Sequence, residues 1–139
     1  MMRDCPLGSP TECHGHYKRG QFGIWSPESF THPAKMSPDL AFRILSHLEE
    51  LGLLRRGMTI LDPMCGVGTT LLTAAIRGYR TVGIEIEGKF VSMARANAER
   101  LKNRGFEAPI EIIQGDARDP TRLLAHCDCA ITSPPYLTG

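Results

Sequence analysis

The chain has 139 residues, 42% hydrophobic and 22% charged, ordinary values for one globular domain with a sizeable core. Its formal net charge is only +1, from 16 basic and 15 acidic side chains, which excludes the overall basic footprint that proteins gripping nucleic-acid phosphates usually carry. No apolar run approaches the roughly 18 residues of a membrane span, the N-terminus has no signal-peptide stretch, and the five cysteines are irregularly spaced; the expected setting is the cytoplasm, with reduced thiols and no membrane partner.

Residues 1–36 carry Pro, Gly, His and Ser without apolar periodicity and read as an irregular arm, leaving 37–139 for the folded domain. In the arm, Cys5, Cys13, His14 and His16 fit no familiar zinc spacing, so no metal site is expected, and Trp25 reads as an anchor. Ser37-Pro38-Asp39 is a helix start: the hydroxyl can cap free amides, proline fits the first turn, and the carboxylate suits the positive end of the dipole. Leu40, Ile44, Leu45, Leu48 and Leu51 recur at helical spacing, and Gly52 is the expected C-terminal cap.

From Met58 onward strands alternate with helices. The expected strands are 58–62, 80–86, 109–115 and 127–133; the expected helices run from Thr69 to about Arg77, from Gly88 to about Lys102, and over the short stretch 120–125. On the second of these helices Phe90, Ala94, Ala98 and Leu101 follow core spacing, and Cys127 and Cys129 read as small core residues of the last strand. This alternation predicts βαβ units and a parallel, doubly wound α/β sheet with crossovers on both faces.

The first strand ends in Asp62, and DPMCGVGTT at 62–70 then places Gly66 and Gly68 in a turn before Thr69 opens a helix. Glycines there let the backbone turn tightly and let a ligand approach its amides. Glu85, ending the second strand, is placed to bond ribose hydroxyls, while the absence of a third glycine after Thr69 and Thr70 argues against a dinucleotide. Asp116, after the third strand, can accept from an adenine amine, with Ala117 supplying backbone contact. Each carboxylate alone could be a turn residue or helix cap. Together they mark the carboxyl ends of consecutive strands, where open α/β sheets bind ligands.

TSPPY at 132–136 follows the fourth strand and opens on the same edge. Two prolines stiffen the turn and leave carbonyls without competing amides. An exocyclic base amine is a poor nucleophile because its lone pair is delocalised into the ring. Accepting both its protons, at the Ser133 side chain and the Pro134 carbonyl beside Pro135, favours a tetrahedral nitrogen aimed at a methyl donor. Tyr136 can stack on an unstacked base. A surface Pro-Pro turn is the alternative for this segment taken alone.

These segments resemble the amino-methylating (N4-cytosine and N6-adenine) DNA methyltransferases. DPMCGVGTT looks like their S-adenosylmethionine motif, including Asp62, Pro63, Cys65, Gly66, Gly68 and Thr69, and TSPPY looks like their catalytic motif, its serine more typical of cytosine-N4 enzymes. FTHPAKMSPDL at 30–40 resembles a third motif, by which Phe30, His32, Pro33, Ala34 and Lys35 border the cofactor. The resemblance implies a Rossmann-like S-adenosylmethionine-dependent methyltransferase fold, truncated after its fourth strand, acting on DNA in restriction-modification. It covers 30–139 and lacks the family's later strands and recognition region, so the expectation includes a truncated or split enzyme with a complementing chain. The alternatives are an RNA base methyltransferase, or an inactive cofactor-binding remnant that needs a partner.

Overall fold

The computed structural model describes residues 36–119 and 126–135. Helix α1, Pro38–Glu50, starts with proline at its first turn and Asp39 beside the positive dipole end. The Ser37 hydroxyl makes no cap, contrary to expectation; only the Ser37 carbonyl enters the helix, accepting from the Ala41 amide at 3.0 Å. The far end follows the glycine rule: Gly52 sits at φ +72, its amide donates to Glu49 and the Leu53 amide to Leu48, closing a Schellman turn.

Two βα units follow, β1 (Thr59–Asp62) with α2 (Thr69–Ile76) and β2 (Arg80–Glu85) with α3 (Gly88–Asn103), then β3 (Ile110–Gln114) and β4 (Cys129–Ala130). The strands form one parallel sheet in the order β3-β2-β1-β4. The chain therefore winds outward from β1 to β3 and then returns to the other side of β1, the reversal that defines doubly wound sheets. Because both described crossovers run in the same direction, the right-hand rule puts α2 and α3 on one face rather than on both. The short helix expected at 120–125 lies outside the described residues.

Helix α2 packs between α1 and α3, and Thr69 through Ala75 are all buried, which explains why TTLLTAA shows no polar face. On one side Leu45 of α1 joins Leu54, Ile60, Tyr79 and Ile131; on the other, Leu71 joins Cys65, Val91, Ala94 and Ile112. Strand β4 pairs only with β1 among the described residues, so Cys127 and Cys129 are half-buried rather than full members of the core.

Candidate active site

The carboxyl ends of β1, β2 and β4 meet at the point of reversal, and the side chains there are linked directly. Asp62 is buried, 3% exposed, and its Oδ1 accepts from the Met64 amide at 3.1 Å and from the Thr132 hydroxyl at 2.7 Å. The second bond ties the glycine turn to the diproline turn, since Ser133, Pro134 and Pro135 follow Thr132 immediately. Ser133 is half-buried and both prolines are exposed. Burial raises the Asp62 pKa, the nearby Glu85 charge adds to the rise, and the Thr132 and Met64 bonds oppose it.

The glycine turn is held from below and from the side. The Cys65 amide donates to the Ile84 carbonyl at 2.9 Å, and the Gly66 amide donates to Glu85 Oε2 at 2.9 Å. Glu85 Oε1 takes the Glu87 amide at 2.9 Å, so one carboxylate clamps two loops and retains a lone pair on each oxygen toward a ligand. Gly66 and Gly68 adopt φ of +53 and +92, which side-chain-bearing residues rarely do. Pro63 is half-buried in this turn. The Thr69 hydroxyl, at the start of α2, is buried with no partner among the described residues. A glycine cradle, a clamped carboxylate and an orphaned hydroxyl fit a hydroxyl-bearing nucleoside.

Cys65 is buried beside Asp62 and Glu85; burial first, and then those charges, push its thiol up, so it is no nucleophile at neutral pH. Asp116 follows β3 on the same edge, with the half-buried Ala117 next to it. Its oxygens already accept from Arg118: Oδ1 from the backbone amide at 2.9 Å and Nε at 3.0 Å, Oδ2 from Nη2 at 2.6 Å. Arg118 thereby holds the Asp116 carboxyl down at about 2, and an adenine amine would have to compete with a guanidinium for it. His32, Lys35 and Tyr136 lie outside the described residues, as do Phe30, Pro33, Ala34, Trp25 and the cysteines and histidines of the arm.

Two supports of the site are marked by no motif. Asn97, fully buried on α3, donates Nδ2 to the Val67 carbonyl at 3.0 Å, fixing the residue between the two glycines. Its only sequence hint is a polar residue three positions after Ala94 on the apolar stripe. Gly83 of β2 lies under the turn, where a Cβ would stand 2.4 Å from Leu71 Cδ1 and 2.8 Å from Cys65 Sγ.

Residues 27–139 match the model of the RMKL-like methyltransferase domain. The chain belongs to that family. Among its relatives, the tRNA (guanine(10)-N2)-dimethyltransferase of Methanothermobacter thermautotrophicus is 38% identical over 107 residues, 77% of this chain and 29% of the relative. The 23S rRNA (uracil(747)-C(5))-methyltransferase of Pyrococcus horikoshii is 29% identical, over 96% of this chain and 30% of the relative. The crystal structure of TrmN from Thermus thermophilus superposes with a TM-score of 0.60 at 27% identity, over 78% of this chain and 31% of that one. This RMKL-like domain thus spans less than a third of the length of these relatives. Its fold is that of the S-adenosylmethionine-dependent methyltransferases, and solved structures of the same fold hold that cofactor or its demethylated product.

The expected membership among amino-methylating DNA methyltransferases is thereby corrected. The family is RMKL-like, and the relatives carry RNA methyltransferase names, so cytosine-N4 specificity, DNA methylation, restriction-modification and DNA as partner all fall. The physical reason is plain: an exocyclic amine, the group expected to meet TSPPY, has the same chemistry on DNA and on RNA.

Proposed function

We propose that this RMKL-like domain is the cofactor-binding and amine-presenting part of an RNA methyltransferase acting on the exocyclic amine of a base, guanine N2 being the best match. The observation that carries the reading is the 2.7 Å bond between Thr132 and Asp62, because it brings the amine-accepting turn against the cofactor turn. S-adenosylmethionine supplies the methyl group as a sulfonium electrophile. On this reading Glu85 accepts ribose hydroxyls while its clamp on Gly66 and Glu87 keeps it oriented. The Gly66–Gly68 turn gives the ligand close backbone approach, with Asp62, Pro63, Cys65 and Thr69 lining its floor. Ser133 and the Pro134 carbonyl accept the two amine protons, Pro135 stiffens the turn, and Tyr136 stacks on the base. His32, Lys35, Asp116 and Ala117 border the cofactor at its two ends.

A carbon target such as uracil C5 is less well served. Such a ring carbon carries no N–H protons for the two acceptors of the diproline turn, which an amine engages. No helix among the described residues is long and apolar enough to cross a membrane, and a cytoplasmic location belongs to the same proposal. The test is methyl transfer by the full chain from tritiated S-adenosylmethionine to an unmodified tRNA transcript and to unmethylated DNA. Label recovered in N2-methylguanosine supports the reading; label confined to DNA, or to C5 of uridine, overturns it.

A further inference from the structure

The net charge of +1 hides a segregation that the fold makes visible. Asp62, Glu85, Glu87, Asp116 and Asp119 all end strands or follow their ends, so the carboxyl edge of the sheet is acidic. The opposite, amino edge gathers Arg55 and Arg56 before β1, Arg77 capping α2, Arg80 opening β2, and Arg100 and Lys102 in the last turn of α3. All of these but Arg77 are exposed. A groove of about 620 Å³ opens on this edge, lined among others by Glu49, Arg55, Arg56, Arg77 and Tyr79.

The groove is built rather than incidental. Glu49 neutralises Arg77 in an ion pair and accepts from the Tyr79 hydroxyl at 2.6 Å, while Arg77 Nη1 also donates to Ser46 at 3.1 Å. That knot uses up the acid of the groove. Arg56 is pressed against Gly78, where a Cβ would stand 2.8 Å from its Nε, and Arg56 and Arg80 form no salt bridge among the described residues. Asp128, whose charge Arg55 feels, also accepts from the Thr59 amide at 2.8 Å and meets His126 at 3.1 Å. Two exposed guanidiniums beside an open groove, neither in a salt bridge among the described residues, suit phosphate oxygens.

We propose that the amino edge, centred on Arg55 and Arg56, is a second RNA-contacting surface that takes backbone phosphates of a folded RNA. This rests on the RNA reading above and extends it to substrate shape. The two edges are separated by the length of a strand, about 20 Å for six residues, before loops are added. A di- or trinucleotide is too short to present a base at Ser133 and also load the amino edge; a folded RNA with the width of a duplex reaches both.

The test measures fluorescence anisotropy of the full chain with a labelled tRNA transcript and with a short unstructured oligoribonucleotide, over a range of salt. The variants are Arg55→Gln/Arg56→Gln, which removes charge but keeps an unbranched polar side chain, and Arg55→Lys/Arg56→Lys, which keeps charge. The glutamine pair is expected to weaken tRNA binding by about tenfold at low salt and to lower the salt slope by about 2, with the short strand little affected. The lysine pair should restore most of the affinity. If wild type binds tRNA and the glutamine pair matches it in affinity and slope, the surface is overturned while the RNA reading stands. The surface is equally overturned if the pair only lowers the melting temperature, because the arginines then merely complement helix carboxyl ends. If wild type binds S-adenosylmethionine but no RNA, the functional reading itself fails.

Discussion

Thr132 and Asp62 lie 70 positions apart, yet a 2.7 Å bond joins them and, with them, the glycine turn and the diproline turn. Thr132→Val keeps the shape and removes the donor, leaving a buried Asp62 with the Met64 amide as its remaining backbone donor. The expected loss is about 1–3 kcal/mol in stability, with a larger fractional loss in methyl transfer. Its pH dependence has a definite sign. Burial puts the native pKa of Asp62 above the ordinary 3.8, so the folded chain binds the proton more readily than the unfolded one. Ionised Asp62 therefore costs stability, and that cost grows as pH rises through the native pKa and is absent below 3.8. Thr132 reduces the cost by favouring the ionised form. The deficit of Thr132→Val should accordingly be full at neutral pH and shrink on acidification. Urea denaturation at both extremes checks this, and a deficit independent of pH would show that the hydroxyl does not act on a carboxylate.

Among the elements, the strand ends and helix starts were readable because local chemistry sets them. Pro38 and Asp39 open α1, Gly52 closes it, and the four strand segments all appear at their expected places, trimmed to their paired residues. β4 keeps only Cys129 and Ala130 because β1 is its sole described partner. What no local pattern could disclose is which elements press on the glycine turn. Gly83→Ala would drive a methyl group into Leu71 and Cys65, an overpacking expected to cost about 1–3 kcal/mol and to lift the turn from β2. A double-mutant cycle with Cys65→Ala should return part of that loss, and strict additivity would refute the contact. From the opposite side, Asn97→Leu strands the Val67 carbonyl in the core. Stability should fall by about 1–3 kcal/mol, and calorimetry should show weaker S-adenosylmethionine binding; unchanged affinity would mean that Asn97 supports α3 alone.

At the scale of the molecule, the sequence disclosed a sheet edge carrying Asp62, Glu85, Asp116 and TSPPY but not the polymer, because the amine proposed to meet Ser133 and Pro134 is the same group on DNA and RNA and net charge sums over opposite edges. The whole site also depends on one residue that belongs to two loops. Glu85 accepts from Gly66 on the β1 side and from Glu87 on its own, so it ties the turn to β2 before any ligand arrives. A ligand that also uses this carboxylate gains from an arrangement already made, and binding to the native chain alone stabilises it by about 2.7 kcal/mol at a hundredfold excess over Kd. Glu85→Ala should lose both terms: a lower melting temperature without cofactor, since two amides lose their acceptor, and no further rise when S-adenosylmethionine is added. Glu85→Gln separates them. Its amide keeps one acceptor oxygen, so the apo protein should melt between wild type and alanine, while the missing second acceptor should still abolish most of the cofactor-induced shift. Thermal scans of the three proteins with and without cofactor decide the matter, and a wild-type shift retained by Glu85→Ala would move the ribose contact to another residue.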